Sequence, residues 1–183
     1  MGGRRVDEEF VGGATDPEET ALYIHYPIHA GAPQATCVLH THMPYATALA
    51  TVEGGRIEPT NQTSLMFHDR IAYDDEYGGL ALDASEGRRM CAVLGNRQVL
   101  FLANHGVIVT GASVAEAFDR LYYLERAAMI QVLAMSTGKR LKRIPEPMIE
   151  KTVAQLGRGG TQTLQHLEAI KRILDREAPE YRS

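Results

Sequence analysis

The run Cys37-Val38-Leu39-His40-Thr41-His42 sets two imidazoles two residues apart in a short stretch of β-type residues. Alternation along a strand turns both rings to one face, with Cα atoms roughly 6.5–7 Å apart. Two rings at that spacing can close on one divalent ion. Alone, a His-x-His pair belongs to ordinary packing more often than to a metal, and a third ligand changes that balance. His105 ends a buried-type strand at Asn104-His105-Gly106, where the glycine frees the backbone to turn and leaves the ring unshielded. Three neutral imidazoles with an open fourth position are a catalytic zinc arrangement. The other reactive side chains have plainer readings. His25 and His29 share a helix face and read as packing near the first site or as surface. His68 and His166 read as surface residues. Tyr45 offers a phenol for proton transfer, with a packing role the commoner alternative. Tyr73, Asp74, Asp75 and Tyr77 read as a solvated polar turn, with a catalytic carboxylate from Asp74 or Asp75 as the minority reading. Cys37 falls on the strand face opposite the histidines and reads as core. Gly157-Arg158-Gly159-Gly160 lacks the Gly-Lys-Ser/Thr ending of a phosphate loop.

Those side chains must be held by elements that the pattern also predicts. Residues 1–20 carry glycines and acids and read as a mobile lead-in. A short helix from Ala21 to about Ala30 is expected to bend or break near Pro27. The histidine strand follows, and Pro44 opens a helix through Ala50. A strand is expected over Ile71 to Tyr73. Asp83 and Glu86 have capping-box spacing and Gly95 a C-cap position, which predicts a helix over 84–94. Val99 to Ala103 and Val107 to Val109 are buried-type strands. Ser113 and Glu116 cap the longest helix, whose apolar positions recur at three- and four-residue steps to Gly138. Two amphipathic helices, Met148 to Leu156 and Leu164 to Leu174, end the chain, joined by a hinge at residues 157–160. Strands alternating with helices give a mixed α/β class, with helices covering a sheet.

The 183 residues suit one domain, and 44% hydrophobic with 23% charged residues is globular composition. Nineteen basic against 23 acidic residues leave a net charge of −4, without the basic excess a nucleic-acid binder uses. No apolar run approaches the roughly 20 residues of a membrane span. The acidic, glycine-bearing start has no apolar signal region. Two cysteines, each beside apolar residues, predict reduced thiols in the cytoplasm.

The segment Cys37 to Leu49 resembles the strand-and-helix signature of the class II aldolase/adducin family. Leu102-Ala103-Asn104-His105-Gly106-Val107-Ile108-Val109-Thr110-Gly111, running on through Ala115-Glu116-Ala117-Phe118 and Leu124-Glu125, resembles its second signature. The resemblance covers roughly residues 20 to 140. It implies a three-layer α/β/α domain with a central, mainly antiparallel sheet over 21–140, and C-terminal helices over 141–183 packing on it or on a neighbouring subunit. It also implies His40, His42 and His105 as ligands of a divalent metal, zinc first and Mn2+ or Fe2+ as alternatives, and a homotetramer. His25 matches a histidine that the family often has before the first signature.

Two departures from the family stand out. Its sugar-phosphate aldolases place a glutamate acid/base where this chain has Ala21, and Glu19 lies two residues too early unless the loop shifts. Glu19 and Thr20 stand where a serine pair holds the substrate phosphate, and a carboxylate there repels phosphate. The family also has a helix and several strands ahead of this segment, so the chain is expected to be a shortened product or to fold with a reduced sheet. The leading expectation is a metal-dependent lyase that polarises a carbonyl and stabilises an enediolate or enolate of a small, unphosphorylated hydroxy-carbonyl compound. Retro-aldol cleavage comes first, with epimerisation, dehydration and decarboxylation sharing its electronic logic. Glu19 and Tyr45 are the candidates for proton transfer. An adducin-like binding module without catalysis, and an inactive shortened product, are the rivals.

Overall fold

The computed structural model of the chain describes residues 18–156 and 162–182. The expected hinge at 157–160 and nearly all of the expected lead-in lie outside the described residues. Helix α1 (Glu19–Gly31) leads into strand β1 (Cys37–Thr41) and helix α2 (Pro44–Ala50). After a 3-10 turn at Ser64–Phe67 come β2 (Ile71–Asp74), α3 (Ala84–Leu94), β3 (Val99–Leu102) and β4 (Gly106–Gly111). The long α4 (Val114–Met135), α5 (Glu146–Leu156) and α6 (Gln162–Glu177) follow.

The four strands form one sheet in the order β1-β4-β3-β2. β4 runs antiparallel to both β1 and β3, and only β2 and β3 are parallel. β3 and β4 are buried at every residue because helices cover both faces of the sheet. Alternation divides their side chains between two cores. Leu100, Leu102 and Ile108 pack with Ile24 and Ile28 of α1 and Met90 and Leu94 of α3. Val99, Phe101, Val107 and Val109 pack on the other side with Leu49 of α2 and Leu124, Ala127 and Ala128 of α4. The result is the expected three-layer α/β/α arrangement with a mainly antiparallel sheet.

Local chemistry sets the ends of the helices. Asp83 caps α3 by accepting from the Ser85 amide at 2.6 Å. Ser113 caps α4 by accepting from the Glu116 amide, and the Glu116 carboxylate reaches back to the Ala112 amide at 2.7 Å. Helix α1 is not interrupted at Pro27 and continues to Gly31. The proline removes the amide that would bond the Tyr23 carbonyl, and Gly87 of α3 packs against that freed oxygen. A Cβ at Gly87 would lie 1.9 Å from Tyr23 O and 2.7 Å from Pro27 Cγ.

Two polar assignments are corrected. Asp74 is the buried last residue of β2, not part of a solvated turn. Arg89 pairs with it and with Glu86, at 2.5 Å for the latter, so the carboxylate is neutralised inside the fold. His166 is not a surface residue. Its Nδ1 bonds Asp119 of α4 at 2.7 Å, and its ring packs on Phe118, Tyr122 and Tyr123. Helix α6 buries no residue fully, and this polar peg fastens it to α4.

Candidate metal centre

His40 lies in β1 one residue before its end, His42 one residue beyond that end, and His105 sits in the turn joining β3 to β4. Pairing of Thr41 with Val107 brings those two chain ends side by side. The ring centroids of the three histidines are 4.7–5.0 Å apart. One ligand atom from each lies within 4.8 Å of the others, and among the described residues this is the group of three or more potential ligands that could share an ion. His40 Nδ1 donates to the Val107 carbonyl at 3.1 Å, because a carbonyl only accepts. That bond fixes the tautomer and leaves the Nε2 lone pair free. His40 Nε2 stands 3.3 Å from His42 Nε2. Two nitrogens bound at about 2.0–2.1 Å to a tetrahedral zinc are separated by roughly the same distance, so the donor set fits such an ion.

Burial favours the neutral, metal-binding form of two of the rings, His40 and His105. Burial first, then the neighbouring His105, lowers the His40 pKa to about 4. Burial and then His42 lower that of His105, partly offset by the Glu86 carboxylate. The rings open into a hollow of about 420 Å³ lined also by Glu18, Thr20, Ala21, Ile24, Thr41, Leu80 and Ala81.

Neither expected proton-transfer residue lines this hollow. Tyr45 packs on the other core, because α2 lies against α4 on the far side of the sheet. Glu19 is the first residue of α1, and the acid facing the hollow is its neighbour Glu18. Glu18 caps α1, accepting from Thr20 Oγ1 at 2.5 Å and the Ala21 amide at 2.9 Å. Those bonds, Thr20's foremost, hold its carboxyl below the usual range. Ala21 does face the three rings, so the alanine stands in the wall where the resemblance places a glutamate. His25 and His29 stay outside the cluster, 6.4 Å apart, with His29 bonded to the Ala35 carbonyl.

The role expected of Gly106 also changes. Asn104 takes the left-handed turn conformation, φ 57°. Gly106 begins β4, and it is a glycine because a Cβ there would meet Thr41 O at 2.5 Å and His42 Cδ2 at 2.7 Å. Glu125 of α4 is a residue that the sequence pattern did not flag with a role. Its two carboxylate oxygens accept from the Tyr45 and Ala46 amides at 3.0 and 2.9 Å. The available signal was Met43, which precedes Pro44 and has no side chain able to cap α2.

The model of the class II aldolase and adducin N-terminal domain matches residues 2–132. The chain belongs to this family. A Caulobacter vibrioides protein named for the class 2 aldolases is 36% identical over 160 residues, which cover 86% of this chain and 62% of that protein. The decarboxylase NovR of Streptomyces niveus is 29% identical over 149 residues, covering 81% of this chain and 54% of NovR. The crystal structure of an aldolase II superfamily protein from Pseudomonas syringae superposes with a TM-score of 0.83 at 36% identity, over 93% of this chain and 68% of that one. The chain thus spans less than two thirds of the length of these two sequence relatives. Among the described residues, no helix is long and apolar enough to cross a membrane.

Proposed function

We propose that His40, His42 and His105 hold a divalent ion, zinc in the first instance, and that the whole protein is a lyase acting on a small hydroxy-carbonyl compound. The observation that carries this reading is the convergence of three imidazoles, with His40 Nε2 and His42 Nε2 3.3 Å apart, on one open hollow. A divalent ion in such a place supplies Lewis acidity toward a carbonyl oxygen and the enolate charge that follows bond cleavage. The chain itself contributes the remainder. The Val107 carbonyl orients His40, and Ala21, Ile24, Leu80 and Ala81 line an apolar wall against which the carbon skeleton rests. Glu18 is the carboxylate among the described lining residues, and its ionised form accepts a proton. No lysine or arginine is among those residues, and Glu18 repels a phosphate, so the substrate is unphosphorylated. Retro-aldol cleavage is the first reaction assigned, with decarboxylation, the activity in the name of NovR, next. The assembly proposed is a cytoplasmic homotetramer, with residues 21–140 as its domain proper.

Metal analysis of the reconstituted protein tests the reading. One equivalent of metal is expected in the wild type and well under one in His42→Ala. Because His42 is exposed, that variant should melt with the wild type in chelator. A wild type that takes up no metal, or a His42→Ala protein that keeps its full equivalent, overturns the assignment. A second reading, an adducin-like module without catalysis, is favoured by Ala21 in the wall facing the rings. Metal-loaded protein inert toward a panel of unphosphorylated aldols and β-keto acids decides for that module, and turnover decides against it.

A further inference from the structure

His42 is held differently from the other two rings. His40 lies inside the β1–β4 ladder, opposite Ile108, and is bonded to Val107. His105 is fixed by the turn, where its amide donates to the Leu102 carbonyl at 3.1 Å. The ladder's last pair is Thr41 with Val107, so His42 stands one residue beyond it, exposed, at the junction with α2. Its position therefore depends on where α2 begins.

That beginning is not fixed locally. Met43 occupies the N-cap position and makes no side-chain cap bond, and Pro44 is the first helical residue. The next two amides, of Tyr45 and the fully buried Ala46, would be left without acceptors. Both donate to Glu125, one to each carboxylate oxygen, from a helix 80 and 79 residues further along the chain. A two-pronged bond to a rigid helix fixes orientation as well as distance, which one hydrogen bond does not. Gly106 supplies the opposing surface, since its missing side chain is the space that His42 Cδ2 occupies.

We propose that Glu125 is a positioning residue of the centre. By clamping the start of α2 to α4, its carboxylate sets His42 in register with His40 and His105, and so governs affinity for the ion. This rests on the reading that the three histidines bind metal. Glu125 touches neither ion nor substrate and acts only through the His42 segment.

Glu125→Gln keeps the shape and replaces one acceptor oxygen by an NH2 that cannot accept. Cobalt(II) is the probe, because its visible spectrum reports ligand number and geometry. E125Q is expected to bind cobalt roughly 10–100-fold more weakly, the usual loss when a group supporting a ligand is removed, and with an altered spectrum. In the metal-free protein, the Tyr45 and Ala46 amides should exchange faster and the ring resonances of His42 should move, while the His40 and Ile108 amides of the ladder keep their protection. Met43→Ser gives α2 its own capping oxygen, so M43S/E125Q should recover much of the affinity and spectrum. A general loss of packing would not be rescued in this way. E125Q with wild-type cobalt affinity and spectrum overturns the proposal. If the wild type itself takes up no cobalt, the metal reading fails, and with it the claim on affinity. An unmoved His42 ring signal in metal-free E125Q overturns the positioning role alone.

Discussion

Replacing Gly106 by alanine tests how closely β1 and the β3–β4 turn approach. The new methyl would lie 2.5 Å from the Thr41 carbonyl oxygen, 2.7 Å from His42 Cδ2 and 3.4 Å from His42 Cα, where contacts below 3.0 Å are essentially never found. The Thr41 oxygen belongs to a strand end held in register with Val107. The His42 ring is exposed and swings more easily. Part of the strain is therefore relieved by pushing the ring away from its two partners, and part stays in the sheet. Overfilling a packed site costs about 1–3 kcal/mol. At roughly 2–4 °C per kcal/mol for a chain of this size, the melting temperature in chelator should fall by about 2–12 °C. Zinc affinity, measured by competition with a chromophoric chelator, should fall about 10–100-fold, as for other losses of support around a ligand. A G106A protein that melts with the wild type and binds zinc as tightly would refute the steric argument.

Arg89→Ala leaves Asp74 buried and unpaired and should cost about 3–5 kcal/mol in urea denaturation; a loss below 1 kcal/mol would equate the pair with a surface bridge. The His40 imidazole is held near pKa 4 against an unfolded value of 6.5, so the unfolded chain takes up the proton first as the pH falls. Metal-free protein should thus keep this contribution above pH 6.5 and lose it progressively toward pH 4. His40→Asn should flatten the dependence of the urea midpoint over that range, and parallel slopes for the two proteins would count against a buried neutral ring. His166→Ala should speed amide exchange along α6 while α4 stays protected, and unchanged protection in α6 would show that the Asp119 contact does not fasten it.

What the sequence disclosed was what depends on near neighbours. The caps Asp83 and Ser113 are written within three residues of the amides they serve, and α3 and α4 begin where those caps place them. The double-sided burial of β3 and β4 is legible as unbroken apolar runs. His40, His42 and His105 were visible as residue types, and their signatures supplied the grouping. Contacts made across the fold were not legible. Asp74 reads as a turn acid until Arg89 is brought to it, and His166 as a surface residue until α6 lies on α4. Pro27 reads as a helix breaker because the glycine that accommodates the freed carbonyl lies on α3. Glu18 is the non-helical cap and Glu19 the first helical residue, a boundary one residue wide that spacing arguments do not resolve.

The strand order carries a consequence for the sequence of events in folding. β3 and β4 are consecutive and joined by a tight turn, and α4 follows at once, so this unit closes over short loops. β1 must instead find β4 across a long intervening segment; His40 and the Val107 carbonyl are 67 residues apart in the chain. Loop closure of that length is slow to form and is rewarded only when the whole ladder zips. The hairpin, carrying His105 alone, is therefore expected to assemble before the strand that brings His40 and His42. On the proposed metal reading, zinc capture should then mark the arrival of β1. Stopped-flow refolding with a zinc indicator should show metal uptake lagging the burst of helical signal, and uptake within that burst would reverse the order.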